Sequence, residues 1–158
     1  MIKTNWNTGS NDSITFSNII EQIKKHTSLK GTVYIGTDSF FIKDDCIFAT
    51  AICLYGADNQ QGGRYFFTKS RINKNKFPEL SIRMIKEAEN TINLSNTIMD
   101  EVPNAMLELH LDISPQENNE GTSHLAKMLV GYVKGSGYEC KIKPYAFAAA
   151  SIADKHSK

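Results

Sequence analysis

The sequence predicts an α/β domain. A five-stranded mixed sheet, an antiparallel three-strand meander plus parallel strands, is flanked by helices, with an extra helix ahead of it. Three observations carry this. Three strand-like segments follow one another with short connections between Thr32 and Ser70, and short connections join antiparallel neighbours. Two helix–strand alternations come next, and a strand–helix–strand crossover places its strands parallel. The chain has 158 residues, which suits a single domain, taken as residues 1–158.

Ser10 to Asn18 sets cap-type residues before a periodic apolar stretch. Ile14, Phe16, Ile19, Ile20 and Ile23 then predict a helix from Ser13 to His26, with Lys24 and Lys25 where the helix dipole favours them. Thr32 to Phe41 (TVYIGTDSFF) is rich in β-branched and aromatic residues and reads as the first strand. A turn at Lys43 to Asp45 leads to a second strand, Cys46 to Tyr55. The loop GADNQQGG leads to a third, Arg64 to Ser70. Pro78 opens a helix that runs to about Asn96. In Ala105 to Ile113, Leu107, Leu109 and Leu111 alternate with Glu108, His110 and Asp112, a strand pattern with one apolar face. Ser123 to Lys134 has helical period and ends at Gly135 and Gly137. Tyr138 to Lys143 is a short strand stopped by Pro144, and Ala146 to Lys155 is an alanine-rich closing helix.

Composition bounds the function only loosely. Eighteen basic and seventeen acidic residues leave a net charge of +1, which neither demands nor excludes nucleic acid. Cys46, Cys53 and Cys140 are odd in number and lack zinc-like spacing, so they read as core residues in a reducing compartment. No apolar run approaches the roughly 20 residues of a membrane helix. The polar stretch Met1 to Asn11 lacks the apolar segment of a signal peptide. A cytoplasmic location without membrane association is expected.

The chemistry lies in the carboxylates. Asp38 follows Ile35-Gly36-Thr37 near the end of the first strand, and Asp112 ends the strand Met106–Ile113. If these strands are parallel neighbours, they lie about 4.8 Å apart and both aspartates emerge at one carboxyl edge, where such sheets bind ligands. Gly36 shares the Asp38 face and leaves room for a close approach. Paired carboxylates repel unless a proton or cation intervenes. Oxygen-only ligands suit Mg²⁺ or Mn²⁺, and two such ions about 3.5–4 Å apart can drive phosphodiester hydrolysis. Further acids come from the crossover helix, Glu87 or Glu89, and from the last helix, Asp154.

Four segments together resemble the YkuK family of ribonuclease H-like proteins. They are Ile35-Gly36-Thr37-Asp38-Ser39, Arg83 to Glu87, His110-Leu111-Asp112-Ile113-Ser114, and the tail from Lys143-Pro144 through Ala149-Ala150-Ser151 to Ala153-Asp154-Lys155-His156. The likeness runs from about Ser13 to Lys158. It implies a ribonuclease H-like fold and metal-ligating, catalytic carboxylates at Asp38, Glu87, Asp112 and Asp154. Phe40 departs from the family, where a glutamine is expected after the GTDS element.

Each residue also has a plainer reading. Asp38 can cap a turn. Glu87 can be a solvated helical glutamate. Asp154 can pair with Lys158 one turn on, and His110 can be a buried, satisfied histidine. His156 is either solvated or a proton shuttle near Asp154. Ser39, Ser114 and Ser151 can hydrogen-bond the carboxylates, and Lys143 can meet a phosphate. Arg64, Lys69, Arg71, Lys74 and Lys76 form a basic run with Tyr65, Phe66, Phe67 and Phe77 among or beside them. That run either tracks a phosphate backbone or protects an edge strand. The first functional reading is a metal-dependent nuclease acting on RNA, an RNA–DNA hybrid, branched DNA or a small nucleotide. The second is a non-catalytic module of the same fold that binds nucleic acid or protein.

Overall fold

The structure is a computed structural model that describes residues 5–114 and 120–157. Its centre is a long hairpin. β3 (Thr32–Ile42) and β4 (Asp45–Tyr55) pair along their whole length, joined by a two-residue turn in which Lys43 takes the left-handed conformation, φ 55°. β5 (Arg64–Asn73) adds antiparallel to β4 and completes the expected meander.

From β5 the chain passes a short 3₁₀ turn and enters α2 (Leu80–Glu101), longer at its C-terminal end than the periodicity indicates. Pro78 lies just ahead of this helix, not inside it. β6 (Met106–Leu111) then runs parallel to β3, with Val33 opposite Leu107 and Thr37 opposite Leu111. α3 (Glu120–Gly135) leads to β7 (Glu139–Lys141), parallel to β6.

Among the described residues the sheet has seven strands, not five. β1 (Trp6–Thr8) and β2 (Ser13–Ile14) extend it beyond β5, in the order β2-β1-β5-β4-β3-β6-β7. Strands of three and two residues are too short for alternation to signal them. Ser13 and Ile14 are therefore strand, and α1 (Phe16–Ser28) begins only after Thr15, whose hydroxyl caps the Asn18 N–H at 3.1 Å. Trp6 earns its place by burial against Phe16, ring centroids 5.9 Å apart.

Strand alternation divides the molecule into layers. One face of the sheet carries Val33, Ile35, Ile52, Leu54, Leu107 and Leu109, and packs with Ile19 and Ile23 of α1, Ala88 and Ile92 of α2, and Leu129 and Val133 of α3. The other face carries Ala49, Ala51 and Cys53 and is covered by the C-terminal segment, through Phe147, Ala148 and Ala153. That segment is not the regular closing helix the sequence suggests. It is a π-helical stretch, Ala148–Ala153, running into a single α-turn, α4 (Asp154–Ser157).

Small residues let this cover lie flat. A methyl at Gly36 would fall 2.5 Å from Ala149 N and 2.8 Å from Ala148 C, so only glycine admits the backbone there. The Ala148 N–H opens the helical stretch and would lack an intrahelical partner. It donates to His110 Nδ1 at 3.1 Å.

Candidate functional site

Asp38 and Asp112 each follow the last pair of the β3–β6 ladder, Thr37 opposite Leu111. They therefore lie side by side where the parallel β3–β6 pairing ends, on the face the C-terminal segment covers. α4 brings Asp154 onto them, and the Asp38 carboxyl lies within hydrogen-bonding reach of both Asp154 and Asp112. Asp38 is 7% exposed. Burial pushes its carboxyl up to about 7, aided by the hydrogen bond with Asp154 and the charge on Asp112, and opposed by the backbone N–H of Ser39.

Glu87 reaches the cluster from the other side. Ser39 is the neighbour of Asp38 along β3, so its side chain points to the opposite face, where α2 passes. Its hydroxyl donates to Glu87 Oε2. Burial raises the Glu87 carboxyl to about 8; the Ser39 bond pulls it down, the Asp38 and Asp112 charges push it further up, and Arg83 partly offsets them. The plainer reading of Glu87 as a solvated residue fails on this burial. It fits Glu89 instead, which pairs with Lys86 at 3.4 Å on the surface.

Asp112 has a cation of its own. Lys143 Nζ stands 3.0 Å from Asp112 Oδ1, a charge contact without the alignment of a hydrogen bond. Glu87 is thus engaged by Ser39 and Asp112 by Lys143. Among the described residues, no three His, Cys, Asp or Glu side chains stand together as a ready metal cage.

Ser157, unnoticed in the sequence, touches the centre of the cluster. Its hydroxyl donates to Asp38 Oδ2 at 3.3 Å, and to the Asp154 carbonyl at 3.2 Å. The one signal for it is helical spacing, three residues after Asp154. A second unexpected feature is a chain of buried hydroxyls under the site. Thr37 meets Thr50 at 3.0 Å and Thr91 at 2.8 Å, and Thr91 donates to the Glu87 carbonyl at 3.0 Å. This chain ties β3, β4 and α2 together one residue before Asp38. Of the serines singled out, Ser39 serves Glu87, while Ser151 is exposed. Lys158 lies outside the described residues.

One histidine meets its expectation and the other does not. His110 is buried and satisfied, with Glu108 Oε2 at 2.7 Å from Nε2 and the Ala148 N–H on Nδ1. Nδ1 accepts, so Nε2 carries the proton. Burial lowers the His110 pKa, against the pull of Glu108. His156 is not a solvated terminal residue. It stacks on Phe67 with centroids 3.6 Å apart and lies 2.9 Å from the Tyr65 hydroxyl, fastening α4 to β5. Burial, Lys155 and Lys69 all lower its pKa.

The aromatic residues of the basic run belong to the fold. Phe66 and Phe67 are buried in β5, and Phe77 packs on Phe48 at 5.1 Å. Arg64 bonds Gln22 of α1 at 2.8 Å, and Arg71 meets Asp45 at 3.2 Å. β1 covers β5 at Phe66 and Phe67.

A family model described as ribonuclease H-like matches residues 15–158. The chain belongs to that family. The match is to the YkuK family model, the family its four segments resemble. It spans nearly the whole chain, and the β5-β4-β3-β6-β7 core with its parallel β3–β6 pair agrees with a ribonuclease H-like fold. No curated protein matches the sequence. No helix among the described residues is long and apolar enough to cross a membrane.

Proposed function

We propose that this ribonuclease H-like protein is a divalent-metal-dependent phosphodiesterase acting on nucleic acid. One observation carries the reading: Asp38, one residue past the end of the β3–β6 ladder, is buried beside Asp112 and Asp154. Asp38, flanked by two further acids, is short of positive charge. A proton meets part of that shortage, and a hard cation would meet more of it.

The donor set suits Mg²⁺ or Mn²⁺, being carboxylate oxygen throughout. Asp38, Asp112 and Asp154 would hold the ion, with Glu87 entering from the α2 side. A bound cation would supply water activation and charge neutralisation at phosphorus.

The chain's own groups supply orientation and charge. Ser157 fixes one oxygen of Asp38, and Ser39 fixes one oxygen of Glu87. Lys143, its side chain 44% exposed, is a cation at the cluster that solvent reaches. Its ammonium can leave Asp112 for an incoming phosphate. The Thr37–Thr50–Thr91 chain holds the strand end that carries Asp38.

The engagement of Glu87 and Asp112 by neighbours favours a second reading, a module of this fold that binds nucleic acid without cutting it. Cleavage of labelled single-stranded RNA, RNA–DNA hybrid, duplex DNA and branched DNA separates the two, with Mg²⁺ or Mn²⁺ and with Asp38→Asn and Asp112→Asn alongside. Metal-dependent cleavage lost in both folded variants is the expected result and names the substrate. Cleavage that persists in the variants removes the carboxylates from the chemistry. Binding without cleavage under every condition leaves the second reading.

A further inference from the structure

The basic run resolves into two faces of β5. Arg64 lies on the α1 side, bonded to Gln22. Lys69 and Arg71 stand on the opposite face, which is the face of Asp38. The register makes this explicit. Asp38 pairs with Ala49, and Ala49 with Lys69; two residues further on, Phe40 pairs with Ile47, and Ile47 with Arg71. Lys69 is therefore two strand spacings from Asp38, roughly 10 Å across the sheet.

An open groove joins them. It is lined by Ile42, Ile47, Lys69, Ser70, Arg71 and Ser157. Its inner end is Ser157, the residue that donates to Asp38. Ile47 forms an apolar floor, and the two cations form the outer wall. Lys69 has no ion-pair partner among the described residues. Arg71 shares one contact with Asp45 and keeps its side chain 66% exposed, leaving guanidinium donors for a phosphate. Lys69 and Arg71 are about 7 Å apart along the strand, comparable to successive phosphates of an extended nucleic-acid strand. Phe40 adds a flat apolar surface on the same face, 39% exposed at the row ahead of the carboxylates.

We infer that this groove holds a single-stranded nucleic acid as it leaves the carboxylate cluster, with consecutive phosphates on Lys69 and Arg71 and an unpaired base on Phe40. The inference deepens the nucleic-acid reading above and rests on it. Cations alone would serve a duplex equally well. The exposed phenyl ring decides for a single strand, because a duplex keeps its base faces stacked inside and only an unpaired base can lie on a protein aromatic.

The test is fluorescence anisotropy with a labelled single-stranded RNA and the matching duplex, in EDTA so that no cleavage intervenes. Lys69→Ala with Arg71→Ala should weaken single-strand binding about tenfold and reduce the slope of log K against log salt by about 1.4, the value for two phosphates on a single strand. Phe40→Ala should weaken it by a further fivefold or more, with the salt slope unchanged. Lys24→Ala, on α1 across the sheet, should change nothing. Single-strand affinity unmoved by the double substitution overturns the inference, as does a duplex bound more tightly than the single strand. The two readings fail separately. Binding that needs Lys69 and Arg71 in a protein that never cleaves upholds the groove and sinks the catalytic reading. Metal-dependent cleavage and binding indifferent to both residues do the reverse.

Discussion

Gly36→Ala is the most direct probe of how the C-terminal segment reaches the carboxylates. The added methyl would stand 2.5 Å from Ala149 N and 2.8 Å from Ala148 C, whereas carbon contacts settle near 3.5–4.0 Å. The obstructing atoms are backbone, so the π-helical stretch must lift by about 1 Å. Two losses follow. Overpacking of this kind costs roughly 1–3 kcal/mol. The Ala148 N–H to His110 bond, 3.1 Å long, would stretch past hydrogen-bonding range, and a buried donor left unmet costs about 1–3 kcal/mol more. The total is roughly 2–6 kcal/mol. With a urea slope near 2 kcal/mol/M for a domain of this size, the unfolding midpoint should drop by about 1–3 M. Asp154 travels with the lifted segment, so the proposed metal-dependent activity should fall, and trypsin should cut sooner at Lys155. A variant within about 0.5 kcal/mol of the parent, still resistant at Lys155, would refute the claim that this backbone contact seats the segment.

Three more outcomes are expected. Asp38 has a folded pKa raised from 3.8 to about 7, so between about pH 4 and pH 7 the native state holds a proton that the unfolded chain has released. Stability in EDTA should therefore fall as pH rises through that window, and Asp38→Asn should be more stable than the parent at pH 8 by up to about 4 kcal/mol; urea titrations with no difference in pH slope between the two would contradict this. Millimolar Mg²⁺ or Mn²⁺ should raise the melting temperature of the parent at pH 8 and leave Asp38→Asn where it was, because only a native-state ligand site couples to unfolding; equal shifts in both proteins would place the ion elsewhere. Ser39→Ala removes the donor that holds the Glu87 carboxyl down, so the acidic limb of the pH–rate profile should move to higher pH, and an unmoved limb would mean that Glu87 does not govern it.

Much of the centre was readable from residue order. Alternation in Met106–Leu111 and the β-branched run of β3 place Asp38 and Asp112 at parallel strand ends, and Gly36 announced a close neighbour. What covers Gly36 was less legible. Ala146 to Lys155 has the composition of an ordinary helix, and the residue that accepts the first N–H of its π-helical stretch, His110, is far away in sequence. Glu87 and Glu89 share one helix and one chemistry; only the packing of α2 on Ser39 buries the first and leaves the second in water. His156 read as a chain-end residue because its partners, Tyr65 and Phe67, lie on β5 across the whole fold. The basic run looked uniform, and strand pairing alone divides it into Lys69 and Arg71 on one side and Arg64 on the other.

The three aspartates arrive from places remote in the chain. Asp38 and Asp112 are seventy-four residues apart and Asp154 is forty-two further on, each carried by a separate element. No hairpin or helix pair contains two of them, so closing the cluster means closing two long loops, the slowest kind of contact to form. A partly folded chain with its meander complete would have Asp38 in place and nothing opposite it. Cation affinity at this cluster would then be a property of the finished topology, and its appearance during refolding would mark the step at which β6 and the C-terminal cover have both docked.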